Sequence, residues 1–412
     1  MSDTPSGGAR DAATEHVKEL VVQQPVIGAP TSGWAFLLRG PRLALAPSRL
    51  MLGFLAAAIV MGAGTLFDLA RGPIPEPGPG RGLFETLAAG VLLGAGETAS
   101  GVMTLDPGRA LRGVVAGFWG APSALAEVAP WSSAVLALLL LPILVFFGGA
   151  IARSAVVEAA RDRSISGAQA LAYALTKRGA LVGAFVAPLV AAGVLAGLLW
   201  LFGLALLSLP GLDVAGGLLY GVAAVLGLLL AVIVFALALG FPLLVPAVAA
   251  DASDSVDAVQ RAYAYLLDKP ARLLLWAAAL IAQGAAGLFV VTFLLVTALN
   301  WAAELTLIGE PAIAGELRLF RPIPERPEVE GSLAVAAAMI GVWERLTLLV
   351  AGAFGVSFFF CASSLVYLRI RRDCDGQAID DIWPRETVLE KARRGEIERL
   401  PDVSPEEGQR DG

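Results

Sequence analysis

Asp251, Asp254 and Asp257 recur every third residue in "AADASDSVDAVQRAYAYLLDKPARLL" (249–274). Acids or a nucleophile at a membrane surface are what a lipid-modifying enzyme would need, and these three are the only candidates for that chemistry. The neighbouring residues point to a structural use. Asp251, Ser253, Asp254 and Ser255 are all N-cap types, whose side-chain oxygens accept from the free amides of a first helical turn. Other catalytic constellations are missing. The one histidine, His16, lies in a polar leading segment, which excludes histidine-based zinc sites, bis-histidine haem and Ser–His–Asp catalysis. Cys361 and Cys374 form no CxxC or disulfide framework. "GAGETASG" (94–101) follows no strand and has the wrong spacing for a dinucleotide fingerprint. No cofactor or metal is expected.

Basic residues are the second chemical set. Arg161, Arg163, Lys177 and Arg178 lie in one polar loop, and Arg261, Lys269 and Arg272 in another. They are candidate contacts for anionic lipid headgroups or a protein partner, each worth about 1 kcal/mol beside an anionic leaflet. The alternative is a solvated turn that only fixes hairpin geometry. Four acids in the second loop make the first the better docking surface.

The elements that must carry these loops follow from hydropathy. The 412 residues are 57% hydrophobic and only 16% charged, with mean hydropathy +0.73, which is a membrane composition. Six runs without Asp, Glu, Lys or Arg fall at 50–67, 132–152, 181–209, 214–248, 273–300 and 346–368. Each reaches or approaches the length that crosses about 30 Å of hydrocarbon. In lipid such runs must be helices. Placing the loops alternately gives 22 Lys/Arg on one side and 7 on the other, with Arg345 at the mouth of the last span. That bias predicts both termini in the cytoplasm. Between the first two spans, 86–96 and 113–126 are short and flanked by Glu85 and Glu97 or broken by Pro122. The expectation is interfacial or re-entrant helices; if both crossed, there would be eight spans. The net charge of −6 implies no nucleic-acid partner.

The opening stretch predicts a short amphipathic helix with an apolar face at Val256, Val259, Tyr263, Leu266 and Leu267. Asp257 and Arg261 are spaced to pair, and Pro270 separates this helix from the next span. The loop "ARDRSISGAQALAYALTKRG" (160–179) repeats the plan. Ser164 or Ser166 caps it, Ala168, Leu171 and Leu175 form its stripe, and Tyr173 matches Tyr263. Two units of like orientation suggest a parallel repeat. The pairs Gly179/Gly183, Gly193/Gly197 and Gly217/Gly221 suit close helix packing, and Pro142, Pro188, Pro242 and Pro246 interrupt spans. Gln283 is a candidate for a hydrogen bond between helices. None of the six runs carries the ionisable residue that proton or ion coupling requires.

Pro246, Asp251, Ala258, Val259, Arg261, Ala262 and Tyr263 resemble the motif of a multi-pass membrane domain found fused to glycerophosphodiester phosphodiesterases. Over 35–385 the order of elements also resembles an uncharacterised family of bacterial multi-pass proteins, through "PRLALAPSRL" (41–50), "GGAIARSAVVEAARD" (148–162) and "SSLVYLRIRRDCDGQAIDDI" (363–382). The resemblance implies an integral membrane protein and no activity. No phosphodiesterase domain accompanies it.

The expected protein is therefore an all-α, six-span bundle of a bacterial inner membrane, with two related hairpins joined by cytoplasmic amphipathic helices. A tail over 1–33, a membrane domain over 34–370 and a soluble tail over 371–412 are expected. The leading functional expectation is a non-enzymatic organising or accessory component that meets membrane lipids and a membrane or cytoplasmic protein. The alternative is a carrier or flippase-like protein for a neutral or lipidic substrate.

Overall fold

A computed structural model describes residues 33–73, 82–208, 211–306 and 331–383. The expected leading tail, apart from Gly33, and residues 384–412 of the expected soluble tail lie outside these residues. Every regular element among them is helical. Two short helices, α1 (Gly33–Leu37) and α2 (Gly40–Ala44), precede α3 (Pro47–Arg71). Next come α4 (Leu83–Met103), α5 (Pro107–Val115) and α6 (Ala121–Val128), with a π turn over Ala116–Gly120 joining the last two. The first of the expected hairpins covers α7 (Pro130–Arg161), α8 (Gly167–Thr176) and α9 (Arg178–Phe202), which ends in a π turn over Gly203–Leu207. After α10 (Asp213–Leu218), the second is α11 (Tyr220–Asp251), α12 (Ser255–Asp268) and α13 (Pro270–Thr306). The chain closes with the 44-residue α14 (Ser332–Asp375).

Seven of these helices are long and apolar enough to cross a membrane: α3, α4, α7, α9 with its π turn, α11, α13 and α14. That is the make-up of a multi-pass membrane protein. The sequence suggested six; α4 is the addition. Its apolar run is short, but the helix continues through Glu85 and the exposed Glu97. Its N-terminus is capped from a distance: the amides of Phe84 and Glu85 donate to the Asp68 carboxylate at 2.8 and 3.0 Å. The carboxylate at the end of α3 thus satisfies orphan donors at the start of α4.

Helix α14 is central and packs on α3, α7, α11 and α13. It bridges the two arms of the second hairpin, which are splayed around it. Its hydrophobic window is 67% buried, whereas those of α9 and α11 are 0% and 6% buried. Close approach to α14 depends on small residues. A Cβ at Gly53 would lie 2.5 Å from the Ala353 carbonyl oxygen, and one at Gly148 would enter the Phe360 ring. The glycine pairs expected to pack do something else. Gly179, Gly193, Gly197, Gly217 and Gly221 face open space, and only Gly183 is close to a neighbour, Ser255.

Both surface helices are present, and their inner faces follow the expected stripes in part. Helix α12 buries Ala258, Ala262, Tyr265 and the expected Leu266, with Val259 and Tyr263 half-buried against the core, while Val256 and Leu267 are exposed. Helix α8 buries Ala170 and Ala174 and leaves Leu175 exposed. Alanines turn inward because these helices lie close against the ends of the long ones, where a larger side chain would hold them off. Asp162 and Ala252 both take left-handed φ, 49° and 53°, at the ends of α7 and α11. They are 90 positions apart, the offset that also aligns Tyr173 with Tyr263.

Candidate functional site

The polar chemistry gathers at the end of the bundle where α7, α11 and α14 finish. Helix α11 stops at Asp251 because Ala252 turns left-handed, its amide donating to the Val248 carbonyl at 3.0 Å. A carboxylate at a helix C-terminus is opposed by the helix dipole and needs cationic partners. Asp251 has them. Arg371 Nη1 donates to Oδ1, the Tyr367 hydroxyl donates to Oδ2, and Arg261 Nη1 lies 3.4 Å from Oδ2. Arg371 is fully buried, and its Nη2 also donates to the Ala378 carbonyl at 3.2 Å. Beside it, the Tyr265 hydroxyl donates to Asp375. Burial first, then that bond, pushes the Tyr265 phenol well above its ordinary range. Burial would lower the Arg261 guanidinium, but the Asp257 bond and the nearby Asp251 charge outweigh it and hold it raised.

The other two acids of the opening motif are also used structurally. Asp254 is the N-cap of α12 and accepts from the Asp257 amide at 2.8 Å. Asp257 pairs with Arg261 at 3.0 Å. In the first unit Ser166 caps α8 and forms a capping box with Gln169.

Two further buried arginines tie distant elements. Arg49, at the start of α3, donates to the Leu43 carbonyl, to Ser154 Oγ at 3.1 Å and to Glu158 at 3.0 Å. Arg153, in α7, donates to the Ala249 carbonyl at 2.9 Å and the Trp383 carbonyl at 2.6 Å. Its guanidinium lies 4.8 Å from the centre of the Tyr173 ring and 5.8 Å from that of Trp383. The Tyr173 hydroxyl donates to the Val248 carbonyl, and burial pushes the phenol up to about 12.

The chain therefore stays packed beyond Arg371, where a soluble tail was expected to begin. Residues 376–383 lie across the polar end as a strap. Arg153 and Arg161 hold the carbonyls of Trp383 and Ile382, and the Trp383 amide donates to the Ala250 carbonyl at 2.9 Å.

The seven basic residues singled out from the sequence divide into three sets. Lys177 donates to the Ala252 carbonyl, Lys269 to the Asp373 carbonyl, and Arg272 pairs with Asp373 at 2.6 Å. These three and Arg261 lock the turns to the bundle. Arg178 is exposed and reaches the Leu175 carbonyl of its own turn. Arg161 and Arg163 instead line a recess of about 480 Å³ with Arg153, Val157, Ser164, Ile165, Gln169 and Tyr173. A second recess of about 300 Å³, lined by Arg39, Arg42, Glu158 and Asp162 among others, shares Ser164 with it.

Arg49, Arg153, Tyr367, Arg371 and Trp383 were not legible as site residues. Arg153 and Arg371 sit just past the charge-free runs and look like interfacial anchors. Their partners lie 96 and 120 residues away. Among the described residues no group of three or more His, Cys, Asp or Glu side chains is placed to hold a metal ion. No protein-family model, curated protein or solved structure matches the chain.

Proposed function

We propose that this protein is a non-enzymatic organising component of a membrane, whose working surface is the strapped polar end of the bundle. The observation that carries the reading is the use of the buried charge. Arg49, Arg153 and Arg371 are at most 6% exposed, and each binds parts of the chain to one another. Asp251, Asp254 and Asp257, the candidates for chemistry, all have structural partners. Such an arrangement fixes the shape of a surface. By contrast, the most apolar stretches of α9 and α11 hold almost no fully buried residue, as suits helices that meet lipid.

The proposal includes a topology. Helix α4 pairs with the continuous helical stretch 107–128, Gly94 against Gly117 and Gly101 against Ala110. Phe118 meets Phe241 with ring centres 5.3 Å apart. Phe241 lies ten residues, about 15 Å, from the end of α11, and Phe118 lies eleven, about 16 Å, from Pro107. Taking the two as side by side, we read the 104–106 turn as level with Asp251 and the pair as crossing together, eight spans in all. Both termini then share the cytoplasmic side of a bacterial inner membrane, as the Lys/Arg bias predicts.

A carrier of neutral or lipidic substrates is the second reading. It is favoured by the helix-interior prolines, of which Pro188 and Pro246 are buried. Native mass spectrometry of the protein extracted with its lipid separates the two. A stoichiometric protein partner is expected, and it should be lost when the strap is cut after Asp375. A protein that carries only one small neutral molecule or one selected lipid, with no protein partner, overturns the organising role in favour of transport.

A further inference from the structure

We infer that the recess between the end of α7, the 162–166 turn and α8 is a binding site for a phosphate group. Three guanidiniums line it, Arg153, Arg161 and Arg163, with the Ser164 hydroxyl and the Gln169 side chain, and no acid is among the lining residues. Guanidinium forks match phosphate oxygens in shape and charge. At about 480 Å³ the recess falls within the range of small-ligand pockets.

The site is built before a ligand arrives. Arg153 is only 6% exposed and is fixed by two carbonyls and two aromatic rings. Arg161 is held by the Ile382 carbonyl of the strap. Gln169 accepts from the Ser166 amide through Oε1, which orients its amide nitrogen as a donor. Arg161 and Arg163 keep partners of their own, and each guanidinium has five donors to share between those partners and a phosphate. The concentration of like charge is itself a signal, since Arg153 and Arg161 repel one another across the recess and an anion between them relieves it.

The position narrows the source to two. The charge-free run of α7 ends at Ala152, next to the Arg153 of the recess, and the end of an apolar span is where lipid phosphates and water meet. The ligand is a phosphate carried either by an anionic lipid or by a soluble phosphorylated molecule. This inference does not depend on the organising role.

The test uses the full chain in nanodiscs with Arg163→Gln, Arg161→Gln and, as the equal-charge control outside the recess, the exposed Arg178→Gln. One arm measures retention of phosphatidylglycerol against phosphatidylcholine by native mass spectrometry. The other titrates inorganic phosphate into phosphatidylcholine nanodiscs and follows thermal stability. The expected result is roughly tenfold weaker binding in each recess variant, the loss of one charge-assisted contact, with Arg178→Gln unchanged. Loss in the lipid arm assigns a headgroup, and loss in the phosphate arm alone assigns a soluble ligand. If Arg161→Gln does not fold, Arg163→Gln decides. Equal binding by wild type, recess variants and control in both arms overturns the site.

Discussion

Replacing Asp251 with Asn removes the counter-charge from Arg371 while keeping side-chain volume. Arg371 is fully buried, so its charge cannot return to water. Without Asp251 it retains the Ala378 carbonyl, and its Nε already has no partner among the described residues. Both Asp251 oxygens are used and Asn keeps only one, so either Arg371 or the Tyr367 hydroxyl is left facing an amide nitrogen. Breaking one side of a buried ion pair costs about 3–5 kcal/mol, most of it the uncompensated charge left behind. The internal comparison is Asp257→Asn. Its pair with Arg261 is 34% and 41% exposed and spans one helical turn, so about 0.3–0.5 kcal/mol is expected. Equilibrium unfolding in mixed micelles should therefore separate two chemically identical substitutions, six residues apart, by at least fivefold in free-energy cost. Equal costs, or a cost below about 1 kcal/mol for Asp251→Asn, would refute the view that this carboxylate neutralises a buried arginine.

Three other outcomes follow from the packing and the titrating groups. Gly53→Ala places a methyl 2.5 Å from a backbone oxygen that cannot rotate away and should cost about 1–3 kcal/mol, whereas Gly193→Ala, facing open space, should leave monomer stability unchanged or raise it; both are read by thermal unfolding in detergent. Tyr173 is raised from 10.0 to about 12, so its stabilising contribution is complete below pH 10 and lost as pH climbs through about 12, and Tyr173→Phe should flatten that part of an alkaline stability profile. In a background lacking Cys361 and Cys374, Thr104→Cys should be labelled by an impermeant thiol reagent from the same side as the C-terminal tail; labelling from the opposite side rejects eight crossings.

Local chemistry was readable wherever neighbours in the chain decide it. Charge-free runs become helices because a backbone in hydrocarbon has no other way to satisfy itself, and six of the long helices grow out of those runs. Ser166 and Asp254 cap α8 and α12, Asp257 pairs with Arg261, and Pro270 opens α13, because each acts within one helical turn. The seventh long helix was obscured by Glu85 and Glu97, whose charges end a hydropathy run without ending a helix.

The polar end belongs to the tertiary structure. Nothing near Arg371 in the sequence marks it as buried; its counter-ion is 120 residues away on another helix. The strap depends on carbonyls that meet Arg153 and Arg161 across 230 and 221 residues. The same holds for the exact faces of α8 and α12, where Ala170, Ala174, Ala258 and Ala262 take the closest positions and Leu175, Val256 and Leu267 of the expected stripes are left outside. Hydropathy is a property of a segment and survives in the sequence. The pairing of a buried charge is a property of a place, and that place exists only after the helices have packed.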